Sequence, residues 1–360
     1  MADGTTQPPA TPSTLLRDHT TLRLGGPARE WVRATTEQEL VDAVAEADAA
    51  GTPVLVLGGG SNLVVADAGF DGRVVEVATS GVLPDSEDDG PQCGGVVVRV
   101  AAGEGWDDLV ATAVDRGWVG LEALSGIPGS VGATPIQNVG AYGQEVSQTI
   151  ASVRVWDRTL RGVRTFAAAD CHFGYRHSRF KADPGRHVVL TVDLQLPTAS
   201  LGAPVTYAEL ARTLGVDLHE RAPLADVREA VLGLRAGKGM VLDDADHDTW
   251  SAGSFFTNPF LTPEQAAALP DDAPRWQQPD GRTKSSAAWL IEHAGYGKGY
   301  GLDLRGGRAS LSTKHTLALT NRGDATADDL LALAREVRDG VEAAYGVRLV
   351  NEPVLVGCEL

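Results

Sequence analysis

Apolar positions along the chain recur with two periods. Over 36–50 they fall at Leu40, Val41, Val44 and Ala45, one face of a helix. Thr36 stands before them with Glu39 three residues on, the pattern of a capping box. The same spacing predicts helices over 106–116, 205–214, 223–236, 262–269, 285–294 and 327–345, the longest. Short alternating or wholly apolar runs predict strands at 53–57, 74–77, 96–101, 150–157, 163–166, 187–196, 317–320 and 349–357. The stretch 21–32 reads as two strands around a Gly-Gly-Pro turn, and 63–77 as strand, turn, strand. Helix and strand interleave early into a small α/β unit, and the chain as a whole reads as an α+β protein.

Four stretches fit neither period. The first, 120–143 (GLEALSGIPGSVGATPIQNVGAYG), is dense in glycine and stiffened by Pro128 and Pro135. Glu122 and Tyr142 are its only ionisable side chains. Bare backbone of this kind lets N–H groups approach a ligand closely, and a structureless loop this long is uncommon unless it has a function. The second is Gly58-Gly-Gly-Ser-Asn62, straight after a buried strand. It lacks the third glycine and following helix of a dinucleotide fingerprint, yet it offers bare amides and two short polar side chains. The third, 173–181, interleaves Arg176, His177, Arg179 and Lys181 with aromatic residues. The fourth, 251–259, sets Ser254 between a glycine and two phenylalanines. Lys238, in Gly237-Lys-Gly, is a further cation suited to phosphate.

Charge narrows the partners. The chain carries 31 basic and 48 acidic residues, a net −17, which argues against nucleic acid and anionic membrane. An anionic ligand would have to be met by locally gathered cations. Cys93, Cys171 and Cys358 lie far apart, form no CxxC pair and suit a reducing cytosol, so no metal site is expected. Residues 1–14 are polar and rich in proline and threonine, a disordered tail with no apolar signal segment. The link 84–95 reads as an exposed acidic loop. With no coiled coil and no long exposed apolar run, a monomer is expected.

Six motifs occur in one order: Gly58-Gly-Gly-Ser-Asn62, Gly126-Ile-Pro-Gly-Ser-Val-Gly132, Gln137-Asn-Val-Gly-Ala-Tyr-Gly143, Tyr175-Arg-His-Ser-Arg-Phe-Lys181, Ala252-Gly-Ser-Phe-Phe-Thr-Asn-Pro259 and Asn351-Glu-Pro-Val-Leu-Val-Gly357. Together they make the chain resemble the UDP-N-acetylenolpyruvoylglucosamine reductases over nearly all of its ordered length. The resemblance implies a two-subdomain FAD-binding fold of the vanillyl-alcohol-oxidase type, spanning 15–85 and 86–236. A C-terminal α+β substrate-binding domain over 237–348 and a strand at 349–360 returning to the active site would follow. Non-covalent FAD would lie between the subdomains. It would meet Gly58, Gly59, Gly60, Ser61 and Asn62 on one wall. On the other stand Gly126, Ile127, Pro128, Gly129, Ser130, Gly132, Asn138, Gly140, Ala141 and Tyr142.

The implied chemistry is cytoplasmic. NADPH reduces FAD and leaves, UDP-N-acetylglucosamine enolpyruvate takes its place, hydride passes to the vinyl carbon, and a proton follows to the neighbouring carbon. By motif, Ser254 donates that proton, while Arg176 and Glu352 stabilise the enolate. Tyr175, Tyr207, Lys238 and Asn258 contact the substrate, with Tyr207 on a covering loop. A fixed guanidinium beside a developing enolate in a dry site is worth several kcal/mol, and Glu352 needs a raised pKa or a partner to help. An oxidase of the same fold acting on a small alcohol or sugar, and a non-catalytic nucleotide-sugar binder, are the alternatives. No histidine lies in either glycine loop to bond flavin covalently.

Overall fold

The computed structural model describes residues 14–85, 95–278 and 280–360. The tail expected at 1–14, all but Thr14, and most of the acidic link lie outside them, as does Cys93. The first unit contains β1 (Ala28–Ala34), α1 (Glu37–Ala49), β2 (Val54–Leu57), β3 (Leu63–Val65) and β4 (Phe70–Val77). The predicted capping box forms: Thr36 accepts from the Glu39 amide, and the Glu39 side chain reaches back. Leu40 and Val44 bury against Val75. β1, β4 and β2 form a parallel sheet in that order.

The second unit contributes β5 (Val82–Pro84), β6 (Val96–Ala101), α2 (Trp106–Asp115), the small hairpin β7 (Gly140–Ala141) and β8 (Gln144–Glu145), β9 (Ile150–Asp157), β10 (Gly162–Ala167), α3 (Arg179–Ala182) and β11 (His187–Leu196). An antiparallel sheet runs β10-β9-β11-β6-β5. Its inward side chains, Val98, Val100, Val192 and Leu194, pack on Trp106, Leu109 and Val110 of α2. α4 (Ala208–Leu214) and α5 (Leu224–Gly237) form a satellite core with Ala123, and Tyr142 rests against it.

The third unit holds β12 (Ser251–Ser254), β13 (Phe260–Leu261), α6 (Pro263–Ala268), β14 (Arg275–Gln277), β15 (Thr283–Ser285), α7 (Ala287–His293), β16 (Ala309–Leu311), β17 (Ala318–Asn321), α8 (Ala327–Tyr345) and β18 (Val354–Val356). Two three-stranded sheets, β12-β17-β16 and β13-β15-β14, accompany α8. The mixed architecture is the α+β class read from the sequence. No helix among the described residues is long and apolar enough to cross a membrane.

Two strand expectations fail. Residues 21–26 form no strand: Thr20 Oγ1 donates to the Leu24 carbonyl and accepts from its amide, and Arg23 takes φ +52°. The alternation of Leu22 and Leu24 records burial in the third unit's core, where Asn321 Nδ2 donates to the Leu22 carbonyl. At the other end only Val354–Val356 is strand, paired in parallel with β3. Pro353 has no N–H for a ladder, and Glu352 donates its own amide to the Phe255 carbonyl at 2.8 Å. The first and third units therefore share a core, with Leu22, Leu24 and Val64 among the α8 residues.

Asp67 ties the same two units electrostatically. Both its carboxylate oxygens accept from the Ala327 amide, at 3.1 and 3.0 Å, at the positive end of α8. Asp67→Ala is expected to lower the unfolding free energy by about 1 kcal/mol, read as a lower urea midpoint with an unchanged slope.

Candidate active site

β2 ends at Leu57 and releases 58–62 directly onto the loop that follows α2. The approach is backbone to backbone. A Cβ on Gly59 would stand 2.7 Å from Gly129 Cα, and one on Gly58 2.4 Å from Ser130 Oγ. Gly60, at φ +60°, leaves no room for a side chain beside the His19 carbonyl. Ser61 Oγ donates to the Pro128 carbonyl at 3.1 Å. Among the described residues no acceptor meets the amides of Gly58, Gly59, Gly60, Ser61, Asn62, Gly129 or Ser130. Consecutive amides left open in this way form an anion-binding nest. A cavity of about 1190 Å³ opens beside Gly58 and Gly59 and extends to His19, Thr20 and Trp250. Beneath Gly126 lies Arg235, whose buried Nε has no partner among the described residues and whose Nη2 donates to the Met240 carbonyl.

The rest of the glycine-rich stretch holds Arg176. This residue sits at φ +49°, a conformation that costs a side-chain-bearing residue energy and marks functional sites. Its Nη2 donates to the Gly140 carbonyl at 2.9 Å, and its Nε lies 2.8 Å from Glu352 Oε1. The two groups lie within ion-pair distance, but the Nε–H is not aligned for a hydrogen bond. Gln137 Nε2 donates to Glu352 Oε1 at 3.2 Å, and Asn62 Nδ2 reaches both the Gln137 Oε1 and the Glu352 carbonyl. The Glu352 side chain is 12% exposed. Burial raises its pKa, opposed by the charges of Arg176 and Lys181. Ser254 closes β12 beside it, since the next residue, Phe255, accepts the Glu352 amide. No partner among the described residues engages the Ser254 hydroxyl.

The substrate-side residues form two groups. In one, Lys238 Nζ lies 2.5 Å from Glu209 Oε2 and 5.6 Å from the Tyr142 ring centre, and Tyr142 meets the half-exposed Tyr207 edge to face at 5.5 Å. In the other, Tyr175 accepts from the Asn258 amide at 3.3 Å, and Lys284 Nζ sits 4.0 Å over its ring. Burial raises the Tyr175 pKa and lowers that of Lys284.

The structure thus brings Arg176 and Glu352 into contact, with Ser254 alongside, and presses 58–62 against 128–130. Three residues depart from their expected surroundings. The Asn138 side chain is spent on Glu145, the Gly174 carbonyl and the Ser147 amide, so it shapes the loop. The Asn258 Oδ1 accepts from Ala287 at the start of α7, leaving only its Nδ2 free. Tyr142 stands with Tyr207 and Lys238 instead of with the glycine walls. Sequence reasoning missed Gln137, Lys181 and Lys284. Gln137 lay inside a quoted motif as an unassigned polar residue, and Lys181 ended another, whereas nothing local marks Lys284.

Two family profiles match the chain: one described as the FAD binding domain over residues 28–162, and one as the UDP-N-acetylenolpyruvoylglucosamine reductase C-terminal domain over 244–356. The reductase of that name from Cutibacterium acnes is 58% identical over 341 residues, covering 95% of this chain and 89% of its own. The chain belongs to the UDP-N-acetylenolpyruvoylglucosamine reductase family. The Streptomyces avermitilis reductase is likewise 58% identical, over 95% of this chain and 93% of its own. The crystal structure of the Thermus caldophilus enzyme superposes with a TM-score of 0.62 at 28% identity, covering 95% and 97% of the two chains. Family membership makes FAD the cofactor, and the residues fit it: the open amides of the two loops suit a diphosphate, and the cavity beside them has room for the remainder.

Because burial raises the Glu352 pKa in the folded state, the folded chain holds that proton more tightly than the unfolded chain. Its contribution to stability is complete below the ordinary carboxylate pKa and is lost as pH rises through the raised value. Glu352→Gln keeps a neutral group at every pH. The stability of the wild type relative to this variant is therefore expected to fall as pH rises from 4 to 8, measured by urea unfolding across that range. A difference independent of pH would contradict the raised pKa.

Proposed function

We propose that this chain reduces UDP-N-acetylglucosamine enolpyruvate to UDP-N-acetylmuramate, a step of peptidoglycan precursor synthesis, with NADPH as reductant. The reading is of a cytoplasmic monomer divided at 85/86, 236/237 and 348/349. The observation that carries it is the Arg176–Glu352 pair at 2.8 Å, with Arg176 anchored on the Gly140 carbonyl, Gln137 on Glu352, and the Glu352 backbone bonded to Phe255, the residue after Ser254. A carboxyl whose hold on its proton is strengthened by burial, next to a guanidinium, is matched to a carboxylate on which charge develops.

FAD, held by the open amides of 58–62 and 129–130, would supply the hydride chemistry, with NADPH as the hydride source and the terminal vinyl carbon as its destination. The chain's residues handle the charge and the proton. Arg176, fixed by the Gly140 carbonyl, places its positive charge at the substrate carboxylate as the enolate forms. Glu352 in its neutral form donates a hydrogen bond to the same group, and Gln137 orients it. Ser254 Oγ holds the proton that passes to the carbon bearing the carboxylate, completing the lactyl ether. A hydroxyl is a workable acid there because the enolate is strongly basic and the pocket organised. Tyr207 covers the site, Tyr175 lines it, and Lys238 and Asn258 Nδ2 bind the uridine diphosphate.

The purified protein is expected to be yellow, to release free FAD on denaturation, to bleach with NADPH and to recolour anaerobically with the enolpyruvyl sugar nucleotide. Rapid recolouring by oxygen but not by the sugar nucleotide would identify an oxidase. Ser254→Ala is expected to keep FAD and its reduction by NADPH while slowing sugar-nucleotide turnover by about 10²- to 10⁴-fold, measured in single-turnover stopped flow. Normal turnover in that variant would remove serine as the donor.

A further inference from the structure

Among the described residues Lys238 has one carboxylate partner, and that partner stands on the tyrosine-bearing segment. Glu209 lies in the first turn of α4, two residues after Tyr207, and its Oε2 is 2.5 Å from Lys238 Nζ. Both side chains are about one-third exposed, so the pair is open to solvent and to a ligand. Lys238 follows the C-terminus of α5, where the helix dipole favours a cation whatever its counter-ion. Burial pulls the Lys238 pKa down, but the Glu209 hydrogen bond and the neighbouring Tyr142 and Glu209 charges outweigh it and leave the ammonium firmly charged. Gly143 approaches the same segment closely, since a Cβ there would stand 2.1 Å from Thr206 Oγ1. Glu209 thus meets Lys238 on the α4 side of Tyr207, and Gly143 meets Thr206 on the other.

We propose that Glu209 is an internal stand-in for the ligand diphosphate: it occupies Lys238 in the free enzyme and is displaced when a nucleoside diphosphate arrives. The proposal rests on the reading of Lys238 as a phosphate contact. A diphosphate brings more negative charge than one carboxylate and wins the exchange, whereas a weakly charged ligand does not, so the pair acts as a charge threshold. Displacement frees the Glu209 side chain two residues from Tyr207, while the α4 backbone stays packed through Leu210 and Ala211. Glu209 does no chemistry. It sets the affinity at which Lys238 becomes available.

The test is the affinity of the FAD-loaded enzyme for UDP, by calorimetry, in wild type, Glu209→Gln, Lys238→Ala and the double variant, with bound FAD per chain confirming folding and Glu209→Ala measured in parallel. Removing a competing, partly exposed ion pair is expected to tighten UDP binding by about two- to fivefold. Lys238→Ala is expected to weaken it, and Glu209→Gln to change nothing further in the Lys238→Ala background. If Lys238→Ala weakens binding while the Glu209 variants leave it unchanged or weaken it, the stand-in is overturned and the phosphate contact survives. Tightening by Glu209→Gln of the same size in both backgrounds also overturns it. If Lys238→Ala leaves UDP affinity unchanged, the phosphate contact itself falls, and the stand-in with it.

Discussion

Backbone lies against backbone where Gly59 meets Gly129, and the rest of the site depends on that contact. A single methyl group at Gly59 would stand 2.7 Å from the opposing Cα and force the walls apart. The loops belong to different units, one ending β2 and the other following α2, so the nest of open amides exists only when the units are docked. A buried N–H left unmade costs about 1–3 kcal/mol. Neighbouring amides without acceptors are therefore tolerable only where a ligand or solvent supplies the missing oxygens. Asn62, at the end of the first wall, extends the same junction to Gln137 and to the Glu352 backbone. The proposed cofactor wall and the Glu352 backbone are in this way joined by one set of contacts.

Arg176 gains its role from the loop that holds it. Its backbone is in the left-handed region and its guanidinium is anchored on the Gly140 carbonyl, so little freedom remains to be lost on binding. Beside it, two effects on Glu352 oppose each other. Burial favours the neutral acid, the Arg176 and Lys181 charges favour the carboxylate, and burial prevails.

Much of this was legible in the sequence, for identifiable reasons. Periodicity located α1 with its capping box and placed α8 at its observed bounds, 327–345, because long amphipathic helices carry redundant signals. Glycine density marked both walls. Alternation misled at 21–26, since Leu22 and Leu24 are buried by a distant unit and not by a sheet of their own. Local reading also did not show the structural bonds of its polar candidates: Asn138 bonds Glu145, the Gly174 carbonyl and the Ser147 amide, and Asn258 Oδ1 accepts from Ala287. Glu122, the lone charge of the 120–143 stretch, is buried and accepts from Gly120, Gln144 and Ala203, tying the loop to the chain 80 residues on. Such partners are long-range, and no spacing rule encodes them.

The charge distribution supplies the last constraint. In a chain of net −17, Arg176, Lys181 and Lys284 gather in one group and Arg235 and Lys238 in another beside Tyr142, and burial depresses the pKa of Lys181, Lys284 and Arg235. Holding cations where solvation is poor destabilises the empty protein. Elsewhere among the described residues arginines are commonly answered by acids, as Arg186 is by Asp157 and Arg228 by Asp107. At the site the answers are partial: Glu352, whose pKa burial raises, Glu209, and, among the described residues, no partner for Arg235 Nε. In the function proposed above, a ligand set bearing a carboxylate and diphosphates would supply the missing negative charge. The incomplete neutralisation is thus the electrostatic counterpart of the open amides: both groups are under-satisfied in the free protein and satisfied by the same class of anion.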